Sequence, residues 1–400
     1  MKNILKAIDK SQPKMVALLK KWSNVNSGSE NIKGLARMLK LIKTEALVLN
    51  GEIEEIKLKP RIKIDSKGNL KEIPHGNALL IKKNPGSKVQ ILLAGHYDTV
   101  YSVDSPFQKT ELINSNTLKG PGVADMKGGL IIMLKALEIL ELSPYAGKFG
   151  YEVIINPDEE IGSTGSEYLY KKAAKGKIAG LIFEPTFSDG TYVSSRKGSA
   201  NFTLVTYGTA AHAGRDFEKG KSAIVALARF IHEAHALNNN DSGVTINFGS
   251  IEGGGAVNIV PDLAICRIDI RILNALDLRS IKESFDQLVK KFSEQEGIRM
   301  VLHENGGRAP KPMDPKSVEL FDILKKVGLK LNQETKLMPS GGVSDGNILA
   351  GAGLPTIDTL GAIGGNIHTF NEYVHLDSLK EKVKLAVYFI IELIQKDEHG

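Results

Sequence analysis

Hydrophobic positions in the first fifty residues recur at helical spacing: Met15, Leu18 and Leu19, then Ile32, Leu35, Met38, Leu39 and Ile42. Short apolar runs at residues 78–81 and 89–94 read as strands. Residues 126–142 predict a buried helix, 151–156 a strand, 165–173 a helix and 179–183 a strand. Alternating strands and helices argue for a largely parallel sheet with helices on both faces. Three of the strands run into a histidine or a carboxylate: 89–94 into Gly95-His96-Tyr97-Asp98, 151–156 into Asp158-Glu159-Glu160, and 179–183 into Glu184. Ligand crevices of open α/β sheets lie outside the carboxyl ends of the strands, so this coincidence points to a site.

The pattern changes after Arg196. Residues 201–207 alternate like an antiparallel strand, 222–235 form an amphipathic helix, 245–251 and 264–271 are strands, 281–292 a helix and 299–303 a short strand. A β-α-β-β-α-β order is that of a ferredoxin-like sandwich. From Pro312 the earlier alternation resumes with helical segments at 318–326 and 346–350, a strand at 356–358 and a final helix over 376–394. The expected division is a larger domain made of 1–197 and 309–400, interrupted by an inserted domain over 198–308.

A length of 400 residues agrees with two domains, and a hydrophobic share of 42% with a folded chain. The net charge of +6 is spread thinly, with no run of five or six lysines and only 6% aromatic residues, so no nucleic-acid partner is expected. A single cysteine, Cys266, excludes an intrachain disulfide and a multi-cysteine zinc site. Residues 1–21 contain no apolar run of signal-peptide length, and no stretch of 18 apolar residues occurs. A soluble, cytoplasmic protein without a membrane partner is the expectation.

On a strand, residues two apart face the same way, so Asp98 can take the spare ring N–H of His96, as carboxylates do behind metal-bound imidazoles. A surface histidine beside a turn has the same spelling. Asp125 lies among glycines in Gly120-Pro-Gly-Val-Ala-Asp125-Met-Lys-Gly-Gly129, just before an apolar helix. It suits a helix N-cap or a metal ligand, and the glycines would let the backbone pass close to something dense. Glu159 and Glu160 point in different directions, so one can hold a metal while the other serves as general base; a solvated acidic turn is the alternative. Glu184 and His368 complete a set of two histidines and three carboxylates at strand or loop ends. Such a set suits a pair of divalent ions, because zinc takes imidazole and carboxylate readily and one aspartate can bridge two ions.

The motifs Gly95-His96-Tyr97-Asp98, Gly122-Val-Ala-Asp125-Met-Lys-Gly128, Asp158-Glu159-Glu160-Ile-Gly-Ser163, Glu184-Pro185 and His368 resemble, in kind and order, the co-catalytic zinc peptidase family of glutamate carboxypeptidases, aminoacylases and succinyl-diaminopimelate desuccinylases. The resemblance covers nearly the whole chain. It implies an α/β fold with a zinc-exopeptidase-like mixed sheet flanked by helices, and an inserted ferredoxin-like domain that acts as lid and forms a homodimer. It implies two Zn²⁺ per chain, with Co²⁺ or Mn²⁺ as alternatives, bridged by Asp125. His96 and Glu184 would complete one site, Glu160 and His368 the other. Glu159 would be the general base, with Asp98 supporting His96. His212, in Gly208-Thr-Ala-Ala-His212-Ala-Gly214, would reach the neighbouring subunit's site and steady the oxyanion.

Asn258, in Val257-Asn258-Ile-Val-Pro261, Arg271, in Asp269-Ile-Arg271, and Arg308, in Gly306-Gly-Arg308, resemble the family's holders of a substrate carboxylate. Alternation over 264–271 independently puts Arg271 on the polar face and Cys266 in the core, although a salt bridge to Asp269 would use the same position. Gly341-Gly-Val-Ser-Asp-Gly-Asn347 resembles a loop near the specificity pocket and equally suits a helix N-terminus. The implied activity is metal-assisted cleavage of an amide bond in a small molecule or short peptide with a free carboxylate, releasing a C-terminal amino acid, with glutamate carboxypeptidases the nearest group. An N-acyl amino acid amidohydrolase, desuccinylase or dipeptidase is the alternative, and a silent zinc-binding scaffold a third reading.

Overall fold

The computed structural model describes residues 2–239 and 241–398. Its large sheet has six strands in the order Glu52–Lys57, Asn77–Lys83, Gly150–Asn156, Gln90–His96, Ala179–Ile182 and Thr356–Ile357. The last four are mutually parallel, whereas Asn77–Lys83 is antiparallel to both of its neighbours. The sheet is therefore mixed, and the expectation of a largely parallel sheet holds for the four strands from Gly150–Asn156 to the Thr356–Ile357 edge. The edge strand Glu52–Lys57 reads Glu-Ile-Glu-Glu-Ile-Lys and is half-buried only at Ile53 and Ile56, three apart, so its pattern carries no period of two.

Alternation in the central strands assigns their side chains to two cores. Ile91, Leu93, Val153, Ile155 and Leu181 face one layer of helices, Lys2–Ser23, Gly129–Glu141, Pro315–Lys330 and Asp377–Glu398. Leu92, Ala94, Ile154 and Ile182 face the other, where Glu167–Ala173 and Asp345–Gly351 pack. Burial on both faces is what makes Gln90–His96 almost uniformly apolar. Three adjacent parallel strands, Gly150–Asn156, Gln90–His96 and Ala179–Ile182, end at the same edge, which brings the loops that follow them together.

Between Gly198 and Arg308 the chain builds a second sheet in the order Thr245–Gly253, Leu263–Ile272, Gly198–Tyr207, Arg299–Arg308, antiparallel throughout. Two helices, Ala223–His235 and Ala275–Glu296, cover one face, giving the ferredoxin-like arrangement. Ala200, Leu204, Cys266 and Ile270 of the sheet meet Leu227, Phe230 and Phe285 of the helices, so Cys266 is a core residue. On the opposite face Val205 and Ile265 are buried against Ile64. Ile64 comes from a hairpin, Arg61–Ile64 with Leu70–Ile73, that leaves the large sheet and crosses to the inserted one. Tyr207 Oη donates to the Gly68 carbonyl at 3.1 Å and Arg267 Nη2 to the Ile64 carbonyl at 3.3 Å. A 620 Å³ cleft lies between this hairpin, Ile161 and Thr164, and the inserted sheet.

The buried helix expected over 126–142 begins only at Gly129, because 123–128 form an irregular turn in which Asp125 and Met126 leave helical geometry. Small strands at Glu111–Asn114, Thr117–Lys119, Gly364–Gly365 and Tyr373–His375 form a separate sheet beside this turn. At two to four residues each, they are too short to show a period. Among the described residues, no helix is long and apolar enough to cross a membrane.

Candidate metal centre

His96 is the last residue of its strand and is 1% exposed. Its Nε2 lies 3.1 Å from Asp125 Oδ1 and 3.6 Å from Glu184 Oε1. The other oxygen of the same aspartate, Oδ2, lies 3.2 Å from His368 Nε2, which is also 3.2 Å from Glu160 Oε2. Asp125 thus stands between two donor sets, each a histidine and a glutamate. Donor atoms of His96, Asp125 and Glu160, and likewise of His96, Glu159 and Glu184, all lie within 4.8 Å of one another.

Among the described residues no lysine or arginine pairs with Asp125, Glu160 or Glu184, although all three are well shielded from water. Burial and the charge of Asp125 push Glu160 up to about 8. Burial lifts Glu184 to about 7 against the pull of His96. His368, hydrogen-bonded to Asp125 and Glu160, is raised to about 11. Burial alone would lower His96, but the Glu184 charge and hydrogen bonds to Asp125 and Asp98 carry it well above its ordinary value. Burial would raise Asp125, yet hydrogen bonds from both histidines hold it below the usual carboxylate range. Oxygen and imidazole donors gathered around a two-sided carboxylate are a donor set that could hold divalent metal.

The turn carrying Asp125 is anchored by a residue that sequence reasoning missed. Glu372, 1% exposed, accepts N–H bonds from Gly122 at 2.9 Å, Ala124 at 2.9 Å and Asp125 at 3.0 Å, and a hydroxyl bond from Tyr101 at 2.9 Å. Its only signal in the chain is its position four residues after His368. Asp125 is not the N-cap of the following helix, a place taken by Gly128. Nor do the glycines mainly serve approach to an ion. A Cβ on Gly129 would stand 1.9 Å from the Phe183 carbonyl oxygen, so this residue is small because turn and strand touch backbone to backbone.

The strand Gly150–Asn156 leads into a single turn, Glu159–Ile161, held from beneath by Asp98. The fully buried Asp98 carboxylate accepts the N–H groups of Glu159 and Glu160, both at 3.2 Å, and the Ser29 hydroxyl at 2.7 Å. It also lies 3.3 Å from His96 Nδ1, whose nearer partner is the Asp98 carbonyl at 3.1 Å. Glu160 reaches His368, and Glu159 diverges toward Arg308. Burial raises Glu159 above its ordinary range while the guanidinium opposes it.

Arg308 occupies a different place from the one expected of a free carboxylate holder. Its Nη1 donates to Glu159 Oε1 at 2.7 Å, and its Nη2 donates to Ser163 Oγ at 2.7 Å and Asp345 Oδ1 at 3.1 Å. Two of the chain's own carboxylates therefore hold it, and its buried Nε has no partner. Asp345 belongs to the glycine-rich loop, where Ser344 caps the helix Asp345–Gly351, and Gly342, Val343 and Ser344 line a 420 Å³ cavity with Asp125, Glu160, Glu184 and His368. Arg196, also unforeseen, lines the same cavity and donates to Asp358 at 2.6 Å.

Three expected residues stand apart. His212 and Asn258 are exposed neighbours on the inserted domain, joined through the Ala213 N–H and the Asn258 carbonyl at 2.9 Å, and neither lines the cavity. Arg271 forks onto Asp269 at 2.8 and 3.0 Å, the salt bridge that alternation left open. Within one chain the structure gathers His96, Asp98, Asp125, Glu159, Glu160, Glu184, His368 and Arg308, and leaves His212, Asn258 and Arg271 away from them.

Comparison with known proteins bears on this arrangement. Residues 92–392 match the model of the peptidase family M20/M25/M40. Carboxypeptidase G2 of Pseudomonas sp. (strain RS-16) is 26% identical, over 98% of this chain and 92% of its own. Succinyl-diaminopimelate desuccinylase of Hahella chejuensis is 25% identical, over 81% of this chain and 87% of its own. The fold is shared with the M20 family metallo-carboxypeptidase Sso-CP2 from Sulfolobus solfataricus, with a TM-score of 0.75 at 18% identity, covering 95% of this chain and 99% of that one.

Proposed function

This chain belongs to the peptidase family M20/M25/M40 and is a hydrolase, and on that premise we propose that it is a zinc-dependent amidohydrolase holding two ions. Its substrate would be a small molecule or short peptide, from which it releases a C-terminal amino acid with a free carboxylate, glutamate foremost. The observation that carries this reading is Asp125, whose two oxygens each meet a different histidine, and each histidine in turn meets a glutamate. His96 with Glu184, and His368 with Glu160, would hold the two ions, with Co²⁺ or Mn²⁺ as chemical equivalents. Bound there, they would supply Lewis acidity to the scissile carbonyl and to the attacking water.

Glu159 lies near His96 without a hydrogen bond to it among the described residues, and has one oxygen fixed by Arg308. Its Oε2 would take the proton of the attacking water and pass it to the leaving nitrogen. His212 would serve the oxyanion of a second copy, in a cytoplasmic homodimer formed through the inserted domain, which accounts for its exposure in the single chain. Asn258 and Arg271 would approach the substrate carboxylate in that assembly. Arg308 would do so by exchanging one of its two internal carboxylates. A second reading, removal of an acyl group from an amino acid, is favoured by the likeness to the desuccinylase.

The experiment compares zinc-loaded and chelator-stripped protein on a panel of dipeptides and N-acyl amino acids. Metal-dependent release of glutamate is the expected result. Release of another amino acid replaces the substrate and keeps the chemistry. Bound metal without release on the whole panel removes the catalytic reading.

A further inference from the structure

Lys382, on the final helix, is 4% exposed, and its Nζ lies 2.5 Å from Tyr192 Oη and 4.0 Å above the same ring. Among the described residues no carboxylate stands within ion-pair distance of it, and Tyr192 Oη has no other hydrogen-bond partner. An ammonium has three N–H groups and Tyr one O–H, so this corner offers three donors with no protein acceptor. It opens into a 520 Å³ cavity, which is within the range of roughly 300–1,000 Å³ that small-molecule sites occupy. Ile363 and the ring of Tyr192 give the lining apolar surface, beside polar and charged side chains.

Four carboxylates share the cavity. Asp189, Glu334, Asp377 and Glu381 line it, with Lys336 and His375 the other lining groups able to carry positive charge. The acids already have donors: Thr191 for Asp189, Lys336 for Glu334, Lys380 for Asp377, and Gln333 with Lys384 for Glu381. They still leave the lining net negative. A molecule with one carboxylate and one ammonium meets both the Lys382 corner and the acidic lining.

We propose that this cavity is a binding site for a free amino acid, its carboxylate taken by Lys382 Nζ and Tyr192 Oη and its ammonium by the acidic lining. Burial brings Lys382 down to about 7, so at neutral pH it is divided between ammonium and neutral amine, and an arriving carboxylate favours the charged form. The site is separate from the metal centre but shares a wall with it. Val193 follows Tyr192 and Gly364 follows Ile363, and both second members line the metal-side cavity.

The test is calorimetric titration of the metal-free full chain at neutral pH with alanine and glutamate, against propionate and glutarate, which lack the amino group. The amino acids should bind at least about tenfold more tightly than their counterparts, and Lys382→Met should weaken them about tenfold or more. Tyr192→Phe removes only a hydroxyl, should weaken binding in the same direction, and keeps the test open if Lys382→Met does not fold. Binding that neither substitution changes places the amino acid elsewhere and overturns the proposal. So does equal affinity for the des-amino acids, or no heat up to about 10 mM.

Discussion

Glu372→Ala removes the acceptor of three buried backbone N–H groups, those of Gly122, Ala124 and Asp125, at 2.9, 2.9 and 3.0 Å. Tyr101 keeps a partner, because its hydroxyl also reaches the Thr369 carbonyl at 2.7 Å. Each orphaned donor costs about 1–3 kcal/mol, and water entering the space left by the side chain recovers part of the total. The expected loss of stability is roughly 4 kcal/mol. Glu372→Gln keeps the oxygen shared by Ala124 and Asp125 but turns an NH₂ toward Gly122, so about half that loss is expected. Urea unfolding of metal-free protein reads the stability, and metal analysis after dialysis reads the second effect. Asp125 is the donor placed between both histidines, so the Ala variant should also retain less zinc than wild type. An Ala variant that unfolds within about 1 kcal/mol of wild type and keeps its zinc would refute the anchoring role.

Further outcomes follow from the same geometry. Glu159→Gln should lower turnover by about 10²–10⁴-fold with zinc content unchanged, measured by single-turnover kinetics beside metal analysis. Arg308→Ala leaves Glu159 and Asp345 buried without their cation and should destabilise the chain by about 3–5 kcal/mol in urea titration. Chelation should lower the melting temperature, since ligand at 100 times its dissociation constant adds about 2.7 kcal/mol per site. Lys382 has a folded pKa depressed to about 7 from 10.5, so the folded state binds fewer protons than the unfolded one between those values. Its penalty is full below about pH 7 and fades as pH rises toward about 10, worth roughly 5 kcal/mol. The stability difference between wild type and Lys382→Met, followed by urea unfolding, should therefore rise with pH over that window, and a flat difference would remove the buried-amine argument.

What could be read from the chain were features that end a pattern. His96, Glu160 and Glu184 stand where apolar strands stop, and because those strands are neighbours in the sheet, locating the strand ends also located most of the site. The inserted sheet was legible for a similar reason, its alternation running without a break from Cys266 to Ile272. Partnerships between distant residues leave no such trace. Arg308 meets Glu159 across 149 positions, and Glu372 reaches Gly122 across 250. Without those contacts Arg308 looked free to serve a ligand, and Glu372 looked like any surface glutamate. The cis peptide at Asp125–Met126 is likewise silent in a list of residues. The hairpin around Ile64 escaped notice because four-residue strands with one buried position show no alternation.

That hairpin sets how often the two sheets part company. Detaching it exposes Ile64, 2% accessible, which costs about 2 kcal/mol, and breaks the bonds from Tyr207 and Arg267, about 1 kcal/mol each. A sum near 4 kcal/mol corresponds to about one released molecule in a thousand at equilibrium. Nearly every encounter with a substrate would therefore meet the attached form. An inserted domain that must travel has two routes: carry the hairpin with it, bending the chain at its roots near residues 58–60 and 74–76, or wait for that rare release.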